Sequence, residues 1–262
     1  MPSRPLTLQL DLTERCNLRC VMCHFSNRDR IRFPPFDLAG DGDGNMPVAL
    51  FEKIAAEFFP RARRVALGCA AEPLMHPRFA EIVTIAARYR IPELWFPTNL
   101  LPLTETTAEA IARAKVSVVG VSIDGVRKET YEAIRVGATW ERLRAKLKLL
   151  RGVRLRVIFT WMQRNRRELR ELPEFAADIG ASEIDVRFVA PTSGVDVSAQ
   201  LLSSEDRDEL HAELAATARD AVRRGLRLAG YPHFDDPPAN VFARIAWRIW
   251  RLRAGLDRLE HL

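Results

Sequence analysis

Cys16, Cys20 and Cys23 fall within eight residues, spaced three and then two apart in Thr13-Glu-Arg-Cys-Asn-Leu-Arg-Cys-Val-Met-Cys23. Sulfurs at that spacing, in a loop after a strand, can be turned toward one point. Thiolate is the soft ligand that iron–sulfur clusters use. Three cysteines are one short of the full set for a four-iron cube, which leaves one iron open to another molecule. Two other chemistries use the same residues. A structural zinc site could add His24, although His24 directly follows Cys23 and suits a tetrahedron badly. Cys20 and Cys23 alone form a C-x-x-C pair of the redox type, a motif expected to open a helix in a much smaller fold.

Further polar groups recur along the chain. Glu72 lies in Ala71-Glu-Pro-Leu-Met-His-Pro77, Asn99 in Thr98-Asn-Leu100, Ser122 and Asp124 in Val121-Ser-Ile-Asp-Gly125, and Arg135 in Tyr131-Glu-Ala-Ile-Arg135 ahead of Gly137. Taken singly, Thr98, Asn99 and the Asp124–Gly125 pair are turn residues and Arg135 is a surface arginine. Their common feature is that each group follows a strand-like run. Cys69 stands apart, and a lone cysteine is most often a buried apolar thiol. The Gly-Asp-Gly-Asp-Gly stretch at 40–44 lacks the later glutamate of a calcium loop and is expected to be a solvated surface loop.

The elements that must position these groups alternate. Apolar runs with strand character cover 6–12, 64–67, 93–96, 115–123, 154–161 and 183–189. Helical patterns cover 47–59, 77–88, 104–114, 128–150 with a break near Gly137, 167–179 and 204–224. Pro47 and Pro77 open two of them, Thr104 caps a third, and Ser203 or Ser204 caps the last. Six β–α pairs in succession imply an α/β fold with a parallel sheet, open or curled toward a barrel. Its chemistry belongs at the C-terminal ends of the strands, where the βα loops gather.

The bulk properties agree. The chain has 262 residues, 47% apolar and 28% charged, as in an ordinary globular protein of one or two domains. No apolar run is long enough for a transmembrane helix. The first residues lack a run of signal-peptide length and meet Asp11 and Glu14 early, so a cytoplasmic location is expected. The net charge is +6, and of 40 basic residues only five are lysine. Those arginines are interleaved with acids along the chain, which reads as genomic codon usage rather than a nucleic-acid surface. Four cysteines are too few to staple a chain of this length, and their clustering favours metal or redox chemistry over disulfides.

In this order, the motifs resemble those of the radical S-adenosylmethionine (radical SAM) enzymes. The likeness starts from Cys-x3-Cys-x2-Cys after the first strand, with Met22 before the third cysteine and Phe25 two past it. It extends through the Glu72, Asn99, Ser122–Gly125 and Tyr131–Arg135 motifs, over roughly residues 6 to 190. It is closest in look to the branch containing sulfatase-maturing, peptide-modifying and molybdenum-cofactor enzymes. The resemblance implies a partial (β/α)6 TIM-like barrel with an extra C-terminal helix. It implies a [4Fe-4S] cluster on Cys16, Cys20 and Cys23, and S-adenosylmethionine (SAM) cleaved reductively to a 5′-deoxyadenosyl radical. The radical would take hydrogen from an unidentified peptide or small molecule, with electrons from a flavodoxin- or ferredoxin-like donor. Phe25, Glu72, Asn99, Ser122, Asp124 and Arg135 would contact SAM: Glu72 at the ammonium, Ser122 and Arg135 at the carboxylate, Asn99 and Asp124 near the ribose or methionyl chain. The chain departs from the pattern at Cys69, Ala71 and Leu100, where the family carries glycine. Those departures motivate the alternative of a non-catalytic, cluster-bearing scaffold, and the arginines alone that of an enzyme on RNA.

Residues 1–230 are expected to form the radical SAM core and 231–262 a linker and helix. Val241, Ile245, Ile249, Leu252, Leu256 and Leu259 make a helical seam that could dock on the barrel, meet a partner or missing domain, or lie on a membrane surface. No cysteine follows Cys69, so no second cluster is expected.

Overall fold

A computed structural model of the chain describes residues 4–23, 44–189, 195–203 and 206–230. Seven strands lie side by side in chain order: β1 (Leu6–Leu10), β2 (Ala62–Leu67), β3 (Glu93–Thr98), β4 (Val118–Ser122), β5 (Leu155–Trp161), β6 (Glu183–Phe188) and β7 (Arg227–Gly230). Every neighbouring pair is parallel. β1 does not pair with β7, so the sheet is a partial barrel. The helices α1 (Val48–Phe58), α2 (Phe79–Ala87), α3 (Glu105–Arg113), α4 (Lys128–Ile134), α5 (Trp140–Leu147), α6 (Leu172–Asp178) and α7 (Arg207–Arg223) fill the crossovers. Among the described residues, no helix is long and apolar enough to cross a membrane.

The two faces of the sheet are built from different residues, as strand alternation requires. On the helix side, Phe51 of α1, Phe79 of α2, Phe96 of β3 and Phe159 of β5 belong to one continuous core. Phe79 meets Phe96 edge-on at 4.9 Å between ring centres. On the lumen side, Ala66, Trp95, Val118 and Ile158 form a separate small cluster. Gly120 sits above it, and a side chain there would come within 2.8 Å of Ile158 Cδ1.

Beneath this cluster, at the N-terminal ends of the strands, lies a charged layer. Glu183 is fully buried and accepts from Arg154 at 2.6 Å, Arg227 at 2.7 Å and Arg156 at 2.7 Å. Arg64 pairs with Glu93 at 3.3 Å. Arg64 and Arg156 also stack on the Trp95 ring, at 5.1 and 5.3 Å from its centre. The stems and planes of these arginines floor the lumen with apolar surface while their charges are paired.

The structure corrects the expected element plan in three places. A seventh strand, β7, follows the six expected. Gln163–Arg170 form a 3₁₀ helix, so the helix expected over 167–179 begins only at Leu172; Gln163–Arg170 offers no apolar stripe to bury. Asp206 takes the N-cap of α7 in place of Ser203 or Ser204 and makes no side-chain capping bond, its carboxylate being held by Arg166 at 2.7 Å. The Thr104 cap and the break between α4 and α5 at Gly137 (φ +96°) are as the sequence implies. The tail 231–262 with its helical seam, His24, Phe25 and most of the 40–44 stretch lie outside the described residues.

Candidate functional site

The chain leaves β1 through Asp11 and enters the cysteine loop. Four backbone groups and one side chain of that loop are tied to the rest of the mouth. Arg15 O accepts from Glu72 N–H at 3.0 Å, Arg19 N–H donates to Val136 O at 2.9 Å, Val21 N–H donates to Ile134 O at 3.0 Å, and Glu14 N–H donates to Gly44 O at 2.8 Å. Asn17 Oδ1 accepts from the Asn99 amide at 2.9 Å. The loop is therefore held against the loops after β2 and β3 and the end of α4.

Cys20 is buried, and Cys16 and Cys23 are half-buried. Burial pushes the Cys20 thiol up to about 11; the Arg135 charge opposes that rise, and Asp124, Cys23 and Cys16 add to it. Cys20 thus lies within the fields of Cys16 and Cys23. Among the described residues, no three His, Cys, Asp or Glu side chains close around a single metal ion.

Glu72 is buried at the turn after β2. Its carboxylate accepts from Thr98 Oγ1 at 2.6 Å, Asn99 N–H at 2.6 Å and Leu74 N–H at 3.1 Å. Burial nevertheless pushes the carboxyl up to about 7, because those hydrogen bonds and a distant Arg135 compensate only in part. Glu72 has no ion pair among the described residues. Upstream, Asp11 Oδ1 accepts from Cys69 N–H at 2.7 Å and Ala70 N–H at 2.9 Å. Gly68, at φ +117°, packs against Pro73 so closely that a Cβ would lie 3.1 Å away.

The turn after β3 shows what the glycine implied by the resemblance would do there. Leu100 occupies that position with φ +71° and is fully buried. A leucine in the left-handed region is strained by about 1–2 kcal/mol, but removing a buried leucine side chain costs about 2–5 kcal/mol. We expect Leu100→Gly to destabilise the protein on balance, by about 1–3 kcal/mol from those two opposing terms. Chemical denaturation checks this; a more stable variant would show that the turn, not the core, dominates.

After β4, Asp124 is completely buried. Its Oδ1 accepts from Thr160 N–H at 2.7 Å, its backbone oxygen accepts from Asn165 Nδ2 at 2.9 Å, and its Oδ2 pairs with Arg135 at 2.7 Å. Arg135 also donates to Cys20 Sγ at 3.8 Å. Among the described residues, Arg135 Nε, the buried Tyr131 hydroxyl and Asp124 Oδ2 have no hydrogen-bond partner, so Oδ2 meets Arg135 as an ion pair alone. Gly125 is required here: a Cβ would sit 2.5 Å from the Tyr131 nitrogen, a backbone atom that α4 cannot move aside. Ser122 ends β4, half-buried on the same lumen face as Val118 and Gly120.

The structure thus links the three cysteines, Glu72, Asn99, Asp124 and Arg135 in one hydrogen-bonded mouth, with Ser122 on the lumen face beside it. Asn17, Asp11 and Asn165, which position the loops, were not singled out from sequence.

The family model of the radical SAM superfamily matches residues 10–176. The chain belongs to this superfamily. Among curated radical SAM relatives, it is 28% identical over 190 residues to a "Probable GTP 3',8-cyclase" of Methanocaldococcus jannaschii, covering 70% of this chain and 59% of that protein. It is 28% identical over 208 residues to mycofactocin maturase MftC of Mycobacterium tuberculosis, covering 78% of this chain and 50% of the maturase. The chain thus spans between half and three fifths of these relatives' own length. Among solved structures, Streptococcus suis SuiB bound to S-adenosylmethionine superposes with a TM-score of 0.67 at 17% identity, over 88% of this chain and 51% of SuiB. The shared fold is the open, TIM-like partial barrel of the radical SAM proteins.

Proposed function

We propose that this protein is a radical SAM enzyme that binds a [4Fe-4S] cluster through Cys16, Cys20 and Cys23, holds SAM at the open iron, and acts on a substrate in the barrel lumen. The observation that carries the reading is the cysteine loop itself, its backbone tied to three neighbouring elements at the mouth and Cys20 within the fields of Cys16 and Cys23. A cluster held by the three cysteines would supply the electron for reductive cleavage of the SAM C–S bond to methionine and a 5′-deoxyadenosyl radical able to take a hydrogen atom from substrate.

The chain's own residues have separable roles in this reading. Glu72 is a buried carboxylate without a paired cation, and a ligand ammonium would supply the missing charge. The hydrogen bonds it accepts from Thr98 and Asn99 also fix the β3 turn, so that Asn99 holds Asn17 and hence the cysteine loop. Ser122 offers a hydroxyl to a carboxylate at the lumen wall. The Trp95–Ile158 layer and the charged floor beneath it exclude water from below. A peptide substrate is supported by the names of the relatives, which include a maturase and a subtilosin biosynthesis protein, and by SuiB crystallised with its precursor peptide SuiA. An external one-electron donor completes the scheme, and the cytoplasm is its proposed setting.

The test is anaerobic loading of the protein with iron and sulfide, followed by SAM and a strong reductant. About four irons and four sulfides per chain are expected, with slow release of methionine and 5′-deoxyadenosine. Tight zinc binding without sulfide would reject the cluster. A loaded protein that neither binds nor cleaves SAM would leave the scaffold alternative.

A further inference from the structure

Strand β6 carries an ion pair that joins no two elements. At the start of the strand, Glu183 ties β6 to Arg156 of β5 and Arg227 of β7. Further along the same lumen face, Asp185 and Arg187 pair with each other. Asp185 Oδ2 accepts from Arg187 Nη2 at 2.7 Å and from Nε at 3.2 Å. The Asp185 side chain is only 9% exposed, and among the described residues it has no other ion-pair partner. Burying a carboxylate for a bond within one strand costs stability, and a local cost with no structural return points to function. What the pair does is aim the guanidinium. Arg187 stands in register beside Thr160, at the mouth end of the lumen wall, and its side chain is 49% exposed. A guanidinium has five N–H groups. Asp185 engages Nε and Nη2, and Nη1 makes no hydrogen bond among the described residues. Cys69, at the turn after β2, lies close enough for the Arg187 charge to oppose the rise that burial and Asp11 give its thiol.

We infer that Arg187, aimed by Asp185, is a specificity-determining residue that binds a carboxylate of the substrate in the lumen. The inference rests on the proposed reading of the lumen as the substrate site. Arg187 approaches from β6, whereas the proposed SAM contacts follow β2, β3 and β4, so the two molecules are held from different walls. A guanidinium edge matches the two oxygens of a carboxylate. A doubly charged phosphate suits the place less well, because it would meet Asp185 and Asp11 with one guanidinium to offset them. Asp11 is partly offset already, its Oδ1 accepting from Cys69 N–H and Ala70 N–H.

Cys69 is exposed and serves as the reporter. The full chain, loaded with iron and sulfide, is treated in parallel with iodoacetate and iodoacetamide, which differ by one charge. In each reaction the Cys69 sulfur displaces iodide, an S–C bond forming as the C–I bond breaks, and mass spectrometry follows the Cys69 peptide. Both reagents read the same thiolate, so a change in its pKa cancels from their rate ratio, whereas a change in attraction for the anion does not. Arg187→Gln is expected to lower the iodoacetate-to-iodoacetamide ratio by about threefold or more, and Arg187→Lys to keep it near wild type. An unchanged ratio in Arg187→Gln, or a ratio in Arg187→Lys as low as in Arg187→Gln, would overturn the inference. Three short peptides then locate the carboxylate: acetyl-Ala-Glu-Ala-amide with an acidic side chain, acetyl-Ala-Gln-Ala with a free C-terminus, and the neutral acetyl-Ala-Gln-Ala-amide. One of the two acids should slow iodoacetamide at Cys69 more than the neutral peptide does, and which one names the source. Equal effects of all three would overturn the inference. A chain that assembles no cluster would instead overturn the functional reading, while the Cys69 ratio, read on a single peptide, still decides the role of Arg187.

Discussion

Alanine in place of Cys16, Cys20 or Cys23 is expected to remove most of the iron from anaerobically loaded protein without unfolding it. Each thiolate is one of three in a single loop, and an alanine methyl has no lone pair to offer a metal. The fold survives because the loop's ties to its neighbours are made by the backbone of Glu14, Arg15, Arg19 and Val21 and by Asn17, not by sulfur. Cys16 and Cys23 are half-buried, so their truncation costs little packing; Cys20 belongs to the core and leaves a small cavity, costing about 1 kcal/mol. Iron and sulfide analysis, paired with an unfolding curve for each variant, separates ligand loss from structural loss. Cys69→Ser is the control: its thiol is exposed at the turn whose amides rest on Asp11, and iron content should not change. Iron that survives replacement of all three loop cysteines would end the cluster reading.

The largest effect on stability is expected at Glu183. Burial pushes its carboxyl up, but hydrogen bonds and charge from Arg227 and Arg156 outweigh burial and hold it below the usual carboxylate range. Removing the carboxylate leaves the buried Arg156 only the longer pair with Glu93 at 3.9 Å; Arg154 and Arg227 are about half exposed and lose little to solvent. Breaking a buried pair in this way costs about 3–5 kcal/mol, and Glu183→Ala should show that loss at neutral pH. The sign of the pH dependence follows from the lowered value. The stabilisation is present above the carboxyl's unfolded-state pKa and disappears as pH falls through its lower folded value. Denaturation of wild type and variant across the acid range should therefore show their difference shrinking as pH falls. A gap that stays constant into acid would mean that Glu183 stabilises by packing alone.

The cysteine spacing and the strand order were legible because both are local. The run Lys-Val-Ser-Val-Val-Gly-Val-Ser-Ile at 115–123 can be little other than a buried parallel strand, and Val118–Ser122 is one. β7 was not legible: Arg-Leu-Ala-Gly is four residues long, and its first residue matters through Glu183, 44 positions away. Asn17 carried no signal for the same reason, since its partner Asn99 is 82 residues distant. The role of Arg135 was only half legible. Its motif marked it as a site residue, but its contacts with Asp124 and Cys20 depend on how α4 meets the cysteine loop. Leu100 shows the converse. The sequence marked a missing glycine, and the structure supplies both the positive φ that favours glycine and the core that keeps leucine there.

The floor of Arg64, Glu93, Arg156 and Glu183 under Trp95 and Ile158 closes one end of the lumen, while β1 and β7 leave its side unpaired among the described residues. On the proposed reading, a long substrate such as a peptide would come and go by the loop end or by that open side, never through the floor.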